Sequence, residues 1–297
     1  MLPAATITLV QFEDHRDGAE AVARMPPYFA QAKDAGADLI VFPEYILGRR
    51  IAADHPNVLA FRDLARRHGI YAIAGLIENH GTKWSTTALM VDRGGTVLGR
   101  YLKTHPAAGP GPHWWPPVPG DDDEARGLLG HEFPIFHLDF GAVGILQCYD
   151  GYFPEAWAAC AYAGAEVICW INGRAGFVQD AYCIAPAHAH GVVVAGCITN
   201  GYNTGFAAPK VDCLRADGTP EESRLFPRRR ELGDGAVTAR LDLAKLRHHR
   251  KHLRTMHQRR PELYGALTRD VKLWQRYPEI PWDRPECEQL VNRAQLP

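Results

Sequence analysis

Short apolar segments alternate with longer amphipathic segments along most of this 297-residue chain. The segments 6–12, 38–43 and 70–77 are apolar enough to be buried on both faces, and helical patterns over 18–36 and 57–68 separate them. Strands of this kind, each followed by a helix, are typical of sheets that helices cover. The alternation therefore predicts an α/β fold.

Two predicted hairpins interrupt this alternation. The segments STTALMVD and TVLGRYL flank Gly94 and Gly95, and a second pair of strand patterns surrounds Gly141. Hairpins make neighbouring strands antiparallel, so the sheets are expected to be mixed rather than purely parallel. The segment 105–120 is rich in Pro and Gly and is expected to be a loop.

Composition and charge exclude several classes of protein. The 33 Lys and Arg residues nearly cancel the 34 Asp and Glu residues, whereas proteins that bind nucleic acids or anionic membranes need a basic surface. No segment approaches the roughly 20 apolar residues of a membrane span. The N-terminal segment MLPAATITLVQF also lacks the features of a signal peptide. We therefore expect a cytoplasmic protein that binds neither nucleic acid nor a membrane.

The cysteines predict neither a disulfide framework nor a structural zinc site. Their number is odd, they are spread over half of the chain, and no two of them form a CxxC pair. Most lie in apolar runs and are interpreted as small buried hydrophobic residues. Cys148 differs, because its apolar run ends at the polar, turn-forming segment YDGYFPE. The seven are Cys148, Cys160, Cys169, Cys183, Cys197, Cys213 and Cys287.

Three predicted strands end on reactive side chains. Glu44 follows LIVFP, Lys103 follows TVLGRYL, and Cys148 follows VGILQ. A carboxylate can accept the proton of a thiol, and a lysine ammonium lowers the thiol pKa and stabilises an oxyanion. The backbone N–H of Tyr149, directly after the thiol, is a candidate second oxyanion donor. Spacing alone does not bring these three side chains together.

The segments around these three residues resemble a known family. VFPEY, GRYLKTHP and GILQCYDGYFPE are similar, in the same order, to the signature segments of the nitrilase superfamily, the carbon-nitrogen hydrolases. This resemblance implies a four-layer α-β-β-α sandwich, a Cys-Glu-Lys triad, no metal, no cofactor and homo-oligomers built on a dimer. It assigns the nucleophile to Cys148, the general base and acid to Glu44, and the oxyanion stabiliser to Lys103.

The segment after the cysteine favours one branch of this family. Relatives that hydrolyse nitriles usually have Cys-Trp-Glu-Asn, whereas CYDGYFPEAW resembles the amidase and N-carbamoyl-amide branches. The expected reaction is cleavage of an amide or N-carbamoyl C–N bond through a thioester, with release of ammonia. Nitrile hydrolysis, amide synthesis on the same triad and ligand binding without efficient catalysis remain alternatives. Asp150 and Glu155 are expected to shape the turn and the start of the next helix.

The loop after the lysine departs from the family pattern. Many relatives have a further Glu in this loop, before a Pro-Gly pair, but here no carboxylate precedes Pro119 and Gly120. Three interpretations follow: the function of that Glu is lost, His113 has taken it over, or Glu124 in the acidic run 121–124 supplies it.

The substrate-binding residues are less clear from the sequence. Tyr45 follows the expected base, Trp114 lies in the Pro-rich loop, and Asn172 and Arg174 follow the predicted strand 166–171. These positions predict contacts with the small amide or carbamoyl substrate. Arg174 suits a carboxylated substrate, because a guanidinium binds a carboxylate in bidentate fashion.

The C-terminal region has weak periodicity. Residues 1–253 are expected to form the carbon-nitrogen hydrolase domain, and 254–297 an extended tail that packs on the body or across a dimer. The basic runs 228–230 and 247–252 are expected to be solvated faces.

Overall fold

Helices and strands alternate through the computed structural model of the chain. The strands are β1 (Ala4–Gln11), β2 (Leu39–Val41), β3 (Tyr71–His80), β4 (Lys83–Val91), β5 (Val97–Leu102), β6 (Ile135–His137), β7 (Ala142–Gln147), β8 (Val167–Asn172), β9 (Gly176–Phe177), β10 (Val193–Ile198), β11 (Gly201–Tyr202), β12 (Thr204–Ala207), β13 (Leu225–Arg229) and β14 (Gly235–Asp242). The α-helices are α1 (Gly18–Ala23), α2 (Pro26–Asp34), α3 (Pro56–His68), α4 (Pro154–Tyr162), α5 (Asp180–His190), α6 (Leu243–His252) and α7 (Arg254–His257). The residues described are 1–13, 18–107, 124, 127–173, 176–209 and 225–269.

Two six-stranded sheets form the centre of the described structure. The first has the order β14-β1-β2-β3-β4-β5, and the second has the order β13-β12-β10-β8-β7-β6. In each sheet three central strands are parallel, β1, β2 and β3 in the first and β7, β8 and β10 in the second. Antiparallel strands flank them on both sides. The predicted mixed sheets, including the hairpin of β4 and β5, are confirmed.

Three apolar layers separate the sheets and the helices. Between the sheets, Ile7 and Ile73 belong to the same buried cluster as Ile145 and Ile171 of the second sheet. A second cluster packs α1, α2 and α3 on the first sheet, and a third packs α4 and α5 on the second sheet. The order of layers is therefore helix, sheet, sheet, helix, which confirms the predicted four-layer α-β-β-α sandwich.

The carboxyl ends of the parallel strands in the two sheets meet at one edge of the sandwich. The backbone N–H of Phe12, directly after β1, donates to the carbonyl of Ile198 at the end of β10, and the N–H of Asn200 donates back to the carbonyl of Phe12. Loops that leave the carboxyl ends of parallel strands are the usual place for functional side chains in α/β folds. The residues after β2, β7 and β8 share this edge.

The basic run 228–230 corrects one expectation. Arg228 lies in β13, its side chain is only 3% exposed, and Nη1 donates to the carbonyl of Asn203 at 2.5 Å. The prediction of a fully solvated basic face is therefore wrong for Arg228. Its charged head is buried because strand pairing turns the side chain toward β12 and α5, which the sequence run alone does not reveal.

The second basic run is only partly solvated. His248 and Lys251 are exposed on α6, as expected. In contrast, Arg247 Nε donates to Glu166 Oε1 at 2.6 Å. Arg250 donates to the backbone carbonyl of Ala161 in α4 at 3.0 Å and to that of Ala165 just before β8. The prediction is wrong for these two arginines, because their guanidinium groups satisfy acceptors on the body of the protein.

The start of the predicted C-terminal tail contacts the body. Thr255 Oγ1 donates to the carbonyl of Ala189 in α5 at 3.1 Å, and the guanidinium of Arg259 lies 3.6 Å from the ring centroid of Tyr162 in α4. Residues 270–297 lie outside the described residues, so the tail boundary stays a prediction. Within the described ranges, no helix combines the length and the apolar character needed to cross a bilayer.

Candidate active site

Cys148 lies at a sharp turn directly after β7. It begins a 3₁₀ helix, Cys148–Tyr152, and its φ of 44° is in the left-handed region that residues with a Cβ rarely adopt. Trp170 holds the turn, because its Nε1 donates to the carbonyl of Cys148 at 2.8 Å. A Cβ on Gly151 would lie 2.5 Å from the Trp170 ring, so this position requires glycine. The turn places the thiol at the end of the strand rather than in its interior.

The other described cysteines differ from Cys148 in their surroundings. Cys160, Cys169, Cys183 and Cys197 are fully buried, whereas Cys148 retains 7% exposure. Burial raises the pKa of Cys160 and Cys169 to about 12 and that of Cys183 to about 11. These four are packing residues, as the sequence predicted. Cys213 and Cys287 lie outside the described residues.

Glu44 lies in a turn just after β2 and is almost completely buried, with 1% exposure. Its Oε1 accepts a hydrogen bond from Lys103 Nζ at 3.0 Å. Within the described chain, Oε2 has no partner in hydrogen-bond geometry, although the nearby N–H of Gly173 lowers the pKa of Glu44 slightly. Burial raises this pKa, Lys103 opposes the increase, and the net shift is upward from the ordinary 4.5.

Lys103 follows β5 and is shared by two carboxylates. Nζ lies 3.0 Å from Glu44 Oε1 and 2.6 Å from Glu124 Oε1, and the lysine is 2% exposed. Burial by itself lowers the pKa of Lys103, but the charges of Glu44, Cys148 and Asp150 raise it, and the net shift is upward. Lys103 is therefore an ammonium at neutral pH, in a buried site where its charge acts strongly.

Glu124 is the carboxylate that reaches Lys103 from beyond the Pro-rich loop. Its Oε1 also accepts a hydrogen bond from the Tyr45 hydroxyl, and its Oε2 accepts the N–H of Ala107 at 2.6 Å. Burial and then the charge of Glu44 raise the pKa of Glu124 well above its ordinary value. Of the three interpretations of the loop, this geometry favours the one in which Glu124 supplies the further carboxylate.

Tyr45 lies against the same group of residues, with a backbone φ of 61°. A Cβ on Gly173 would lie 2.5 Å from the Tyr45 ring and 2.9 Å from Glu44 Oε2, so glycine is needed where β8 ends. The guanidinium of Arg49 covers the outer face of the Tyr45 ring, 4.5 Å from its centroid. Tyr45 therefore forms one wall beside Glu44, and its contact with the substrate stays a prediction.

The remaining candidates are only partly brought together. Asn172 is completely buried, and its Nδ2 donates to the carbonyls of Trp170 and Cys197, at 3.1 and 3.2 Å. These bonds use both amide hydrogens inside the sheet. Tyr149 follows Cys148, and its ring packs edge-on against Phe153, 5.3 Å between centroids. His113, Trp114 and Arg174 lie outside the described residues.

Asp150 has more partners than the sequence indicated. Its Oδ2 accepts from the Tyr101 hydroxyl at 2.7 Å and from the N–H of Gln147 at 3.0 Å. Its Oδ1 accepts from Thr104 Oγ1 at 3.0 Å and from the N–H of His105 at 2.9 Å. Sequence reasoning expected Asp150 to shape its own turn, and the Gln147 bond does so. The partners Tyr101, Thr104 and His105 were missed, although all of them flank Lys103.

Comparisons with known proteins identify the family. The family model for carbon-nitrogen hydrolases matches residues 6–202. The chain is 24% identical to an N-carbamoylputrescine amidase of Solanum lycopersicum, over 88% of this chain and 94% of that protein.

Solved structures are similar in fold. A carbon-nitrogen hydrolase from Helicobacter pylori G27 is 16% identical, with a TM-score of 0.70 over 89% of this chain and 98% of its own. An amidase from Nesterenkonia sp. AN1 is 20% identical, with a TM-score of 0.62 over 84% of this chain and 95% of its own. Because the family model covers well over half of the sequence, the chain belongs to the carbon-nitrogen hydrolase family, the nitrilase superfamily, and is an enzyme of that family.

Proposed function

We propose that the protein is a thiol amidohydrolase, which cleaves a non-peptide amide or N-carbamoyl C–N bond and releases ammonia. The observation that carries this proposal is the buried cluster in which Lys103 Nζ bonds to both Glu44 and Glu124, at the edge where Cys148 ends its strand. The names of relatives support the substrate class. The Solanum lycopersicum relative is an N-carbamoylputrescine amidase. The Nesterenkonia structure is that of a mutant amidase with the acetamide moiety of fluoroacetamide added covalently at the active site cysteine.

The first half of the proposed reaction is acylation of Cys148. Glu44 accepts the thiol proton, and the sulfur attacks the carbonyl carbon of the substrate. Glu44 then delivers that proton to the nitrogen, the C–N bond breaks, and ammonia leaves from a thioester. Oε2 of Glu44 is suited to this transfer, because Lys103 occupies only the other oxygen.

The second half is hydrolysis of the thioester. Glu44 takes a proton from water, the hydroxide adds to the acyl carbon, and the C–S bond breaks to release the carboxylic or carbamic acid. The proton returns to Cys148, so the enzyme is regenerated. One water is consumed and one ammonia is formed in each cycle.

Lys103 stabilises the negative oxygen in both halves. The Lys103 ammonium is fixed by two carboxylates before substrate arrives, so it needs no reorganisation when charge develops on the substrate oxygen. The backbone N–H of Tyr149 is the proposed second donor. Preorganised donors of this kind typically contribute about 10²- to 10³-fold to the rate.

Tyr45→Phe is expected to reduce kcat about tenfold, with a small change in KM. The substitution removes the hydroxyl that holds Glu124 next to Lys103, and the loss of such a bond to a charged group costs about 1.5 kcal/mol. Steady-state kinetics measure the effect. Tyr71→Phe, at the opposite end of the parallel strands, is the matched control and is expected to retain wild-type kcat. If Tyr45→Phe has the same kcat as wild type, the Tyr45 hydroxyl does not hold Glu124 in a position that matters for catalysis.

The proposed function is tested by intact-protein mass spectrometry. The protein is mixed with separate panels of primary amides, N-carbamoyl amines, N-carbamoyl amino acids and nitriles, and ammonia release is assayed in parallel. We expect an acyl or carbamoyl mass increase on Cys148 with amides or N-carbamoyl compounds, together with ammonia. Turnover of nitriles alone would contradict the amidase proposal. Hydroxylamine in the same assay distinguishes hydrolysis from acyl transfer to an amine, because it captures the acyl group as a hydroxamate.

We also propose that the enzyme is a homo-oligomer built on a dimer, with residues 254–297 as a tail that packs on the body or on the partner subunit. The family resemblance supports this assembly. Light scattering during size-exclusion chromatography gives the mass directly, and a mass near the 33.0 kDa of one chain would contradict it.

A further inference from the structure

Asp150 connects the two segments that carry the proposed catalytic groups. Oδ1 accepts the backbone N–H of His105, two residues after Lys103, at 2.9 Å. Oδ2 accepts the backbone N–H of Gln147, the residue before Cys148, at 3.0 Å. A single carboxylate thus holds the backbone on both sides. A change at Asp150 is therefore expected to loosen both segments and to shift Lys103 relative to Cys148.

Asp150 carries a buried carboxylate. Among the described residues that bond to it, there is no lysine or arginine. Asp150 is completely buried, and its bonds come from hydroxyls, backbone N–H groups and His105. The His105 Nδ1 lies 3.0 Å from Oδ1, and its ring stacks on Phe153 at 3.9 Å between centroids. A buried carboxylate that no lysine or arginine bonds directly still acts through its charge on the other ionisable groups of the site, Lys103 among them.

The ionisable groups around Asp150 respond to this charge. Burial is the largest cause of the raised pKa values of Glu44, Tyr101, Glu124 and Cys160, whereas burial opposes the increase for Lys103. The charge of Asp150 adds to the increase in four groups in or beside the site and in one thiol in α4. These groups are Glu44, Tyr101, Lys103, Glu124 and Cys160.

We propose that Asp150 is a positioning residue of the amidase reaction, which fixes Lys103 relative to Cys148 and whose negative charge strengthens Glu44 as a base. This inference rests on the proposed function. It goes beyond that function by assigning a role to a residue outside the proposed triad. Asp150 does not contact the reacting atoms in this proposal and acts on them through Lys103, Cys148 and Glu44.

Asp150→Asn is expected to lower kcat about 100-fold and to change KM less than about threefold, because Asp150 does not line the substrate site in this proposal. The acidic limb of the kcat/KM profile is expected to move to lower pH. The reason is that removal of a nearby negative charge lowers the pKa of Glu44, so its carboxylate form persists to lower pH. A purely structural role would lower the amount of active enzyme without moving this limb.

Tyr101→Phe separates the two contributions of Asp150. This substitution removes one donor at 2.7 Å and leaves the charge in place, so kcat is expected to fall about tenfold while the acidic limb stays where it is in wild type. Glu166→Gln is the matched control. Glu166 is another buried carboxylate that bonds to a backbone N–H, that of Ala142, but it lies at the opposite end of β7 and β8. We expect this variant to retain wild-type kcat and pH dependence.

Alkylation of Cys148 by iodoacetamide gives a second measurement that needs no substrate. In Asp150→Asn, the pH midpoint of the alkylation rate is expected to move to lower pH, because a negative charge near the thiol is lost. If wild type turns over no substrate but this shift is found, the proposed function fails, whereas the effect of the Asp150 charge on the Cys148 thiol is retained.

Two results would overturn the inference. One is a folded Asp150→Asn variant with wild-type kcat and wild-type pH profiles for turnover and alkylation. The other, decisive also if Asp150→Asn does not fold, is wild-type kcat in Tyr101→Phe.

Discussion

Cys148→Ala is expected to abolish turnover, with kcat reduced about 10⁵-fold or more, while the fold stays intact. No other group in the proposed mechanism can form the covalent thioester, and loss of a nucleophile commonly costs rates of this order. Stability should change by no more than about 1 kcal/mol. The thiol is small and not completely enclosed, and alanine at a φ of 44° is no more strained than cysteine.

Ammonia release and thermal unfolding, measured on the same preparation, check this result. Cys160→Ala is the matched control, because Cys160 is also a buried cysteine but lies in α4, as part of the apolar cluster between the helices and the second sheet. It is expected to retain activity. Substantial turnover by Cys148→Ala would overturn the thioester mechanism.

Lys103→Met is expected to affect catalysis and stability together. Activity should fall at least about 10³-fold, because the preorganised positive charge is lost from the site of the developing oxyanion. Stability at pH 8 should fall by about 3–5 kcal/mol, because Glu44 and Glu124 remain buried next to each other without their shared cation. Urea unfolding measures this loss.

The stability loss in Lys103→Met is expected to depend on pH. Burial already raises the pKa values of Glu44 and Glu124 in the folded protein, and loss of the lysine removes the opposing effect on Glu44. A carboxyl whose folded pKa exceeds its unfolded value favours the folded state at low pH, and this advantage is lost as the pH rises through the folded pKa.

The variant should therefore approach wild-type stability as the pH falls from 8 toward the ordinary glutamate value of 4.5. Lys245→Met is the control. Lys245 is about half exposed, 3.9 Å from Asp242, and its loss should cost less than about 0.5 kcal/mol at either pH. If the stability loss of Lys103→Met is the same at pH 8 and at pH 5, it does not arise from two buried carboxylates that lack a counter-ion.

Most of the secondary structure was predictable because its signals are local. The hairpin of β4 and β5 follows from Gly94 and Gly95 between two strand patterns. The end of α3 at Gly69, with φ 65°, follows from a helical pattern that stops at a glycine. Strand β13 was missed, because its sequence LFPRR includes a proline and most of a basic run, which indicate a solvated loop. Burial of Arg228 depends on partners distant in sequence, such as Asn203.

The sequence alone placed Glu44, Lys103 and Cys148, in that order, at the ends of predicted strands. This was possible because an apolar strand pattern and the turn after it are properties of neighbouring residues. The roles of these residues in this protein stay predictions until the variants above are measured.

Three further features arise only when the chain is folded. Glu124 reaches Lys103 across 21 positions of sequence, Tyr45 bonds to Glu124 across 79, and Asp150 bonds to Tyr101 across 49. Such contacts depend on how the two sheets and residues far apart in the sequence pack together, and no local pattern records that geometry. For this reason the sequence left three interpretations of the loop carboxylate open, and packing around a buried ammonium favours one of them.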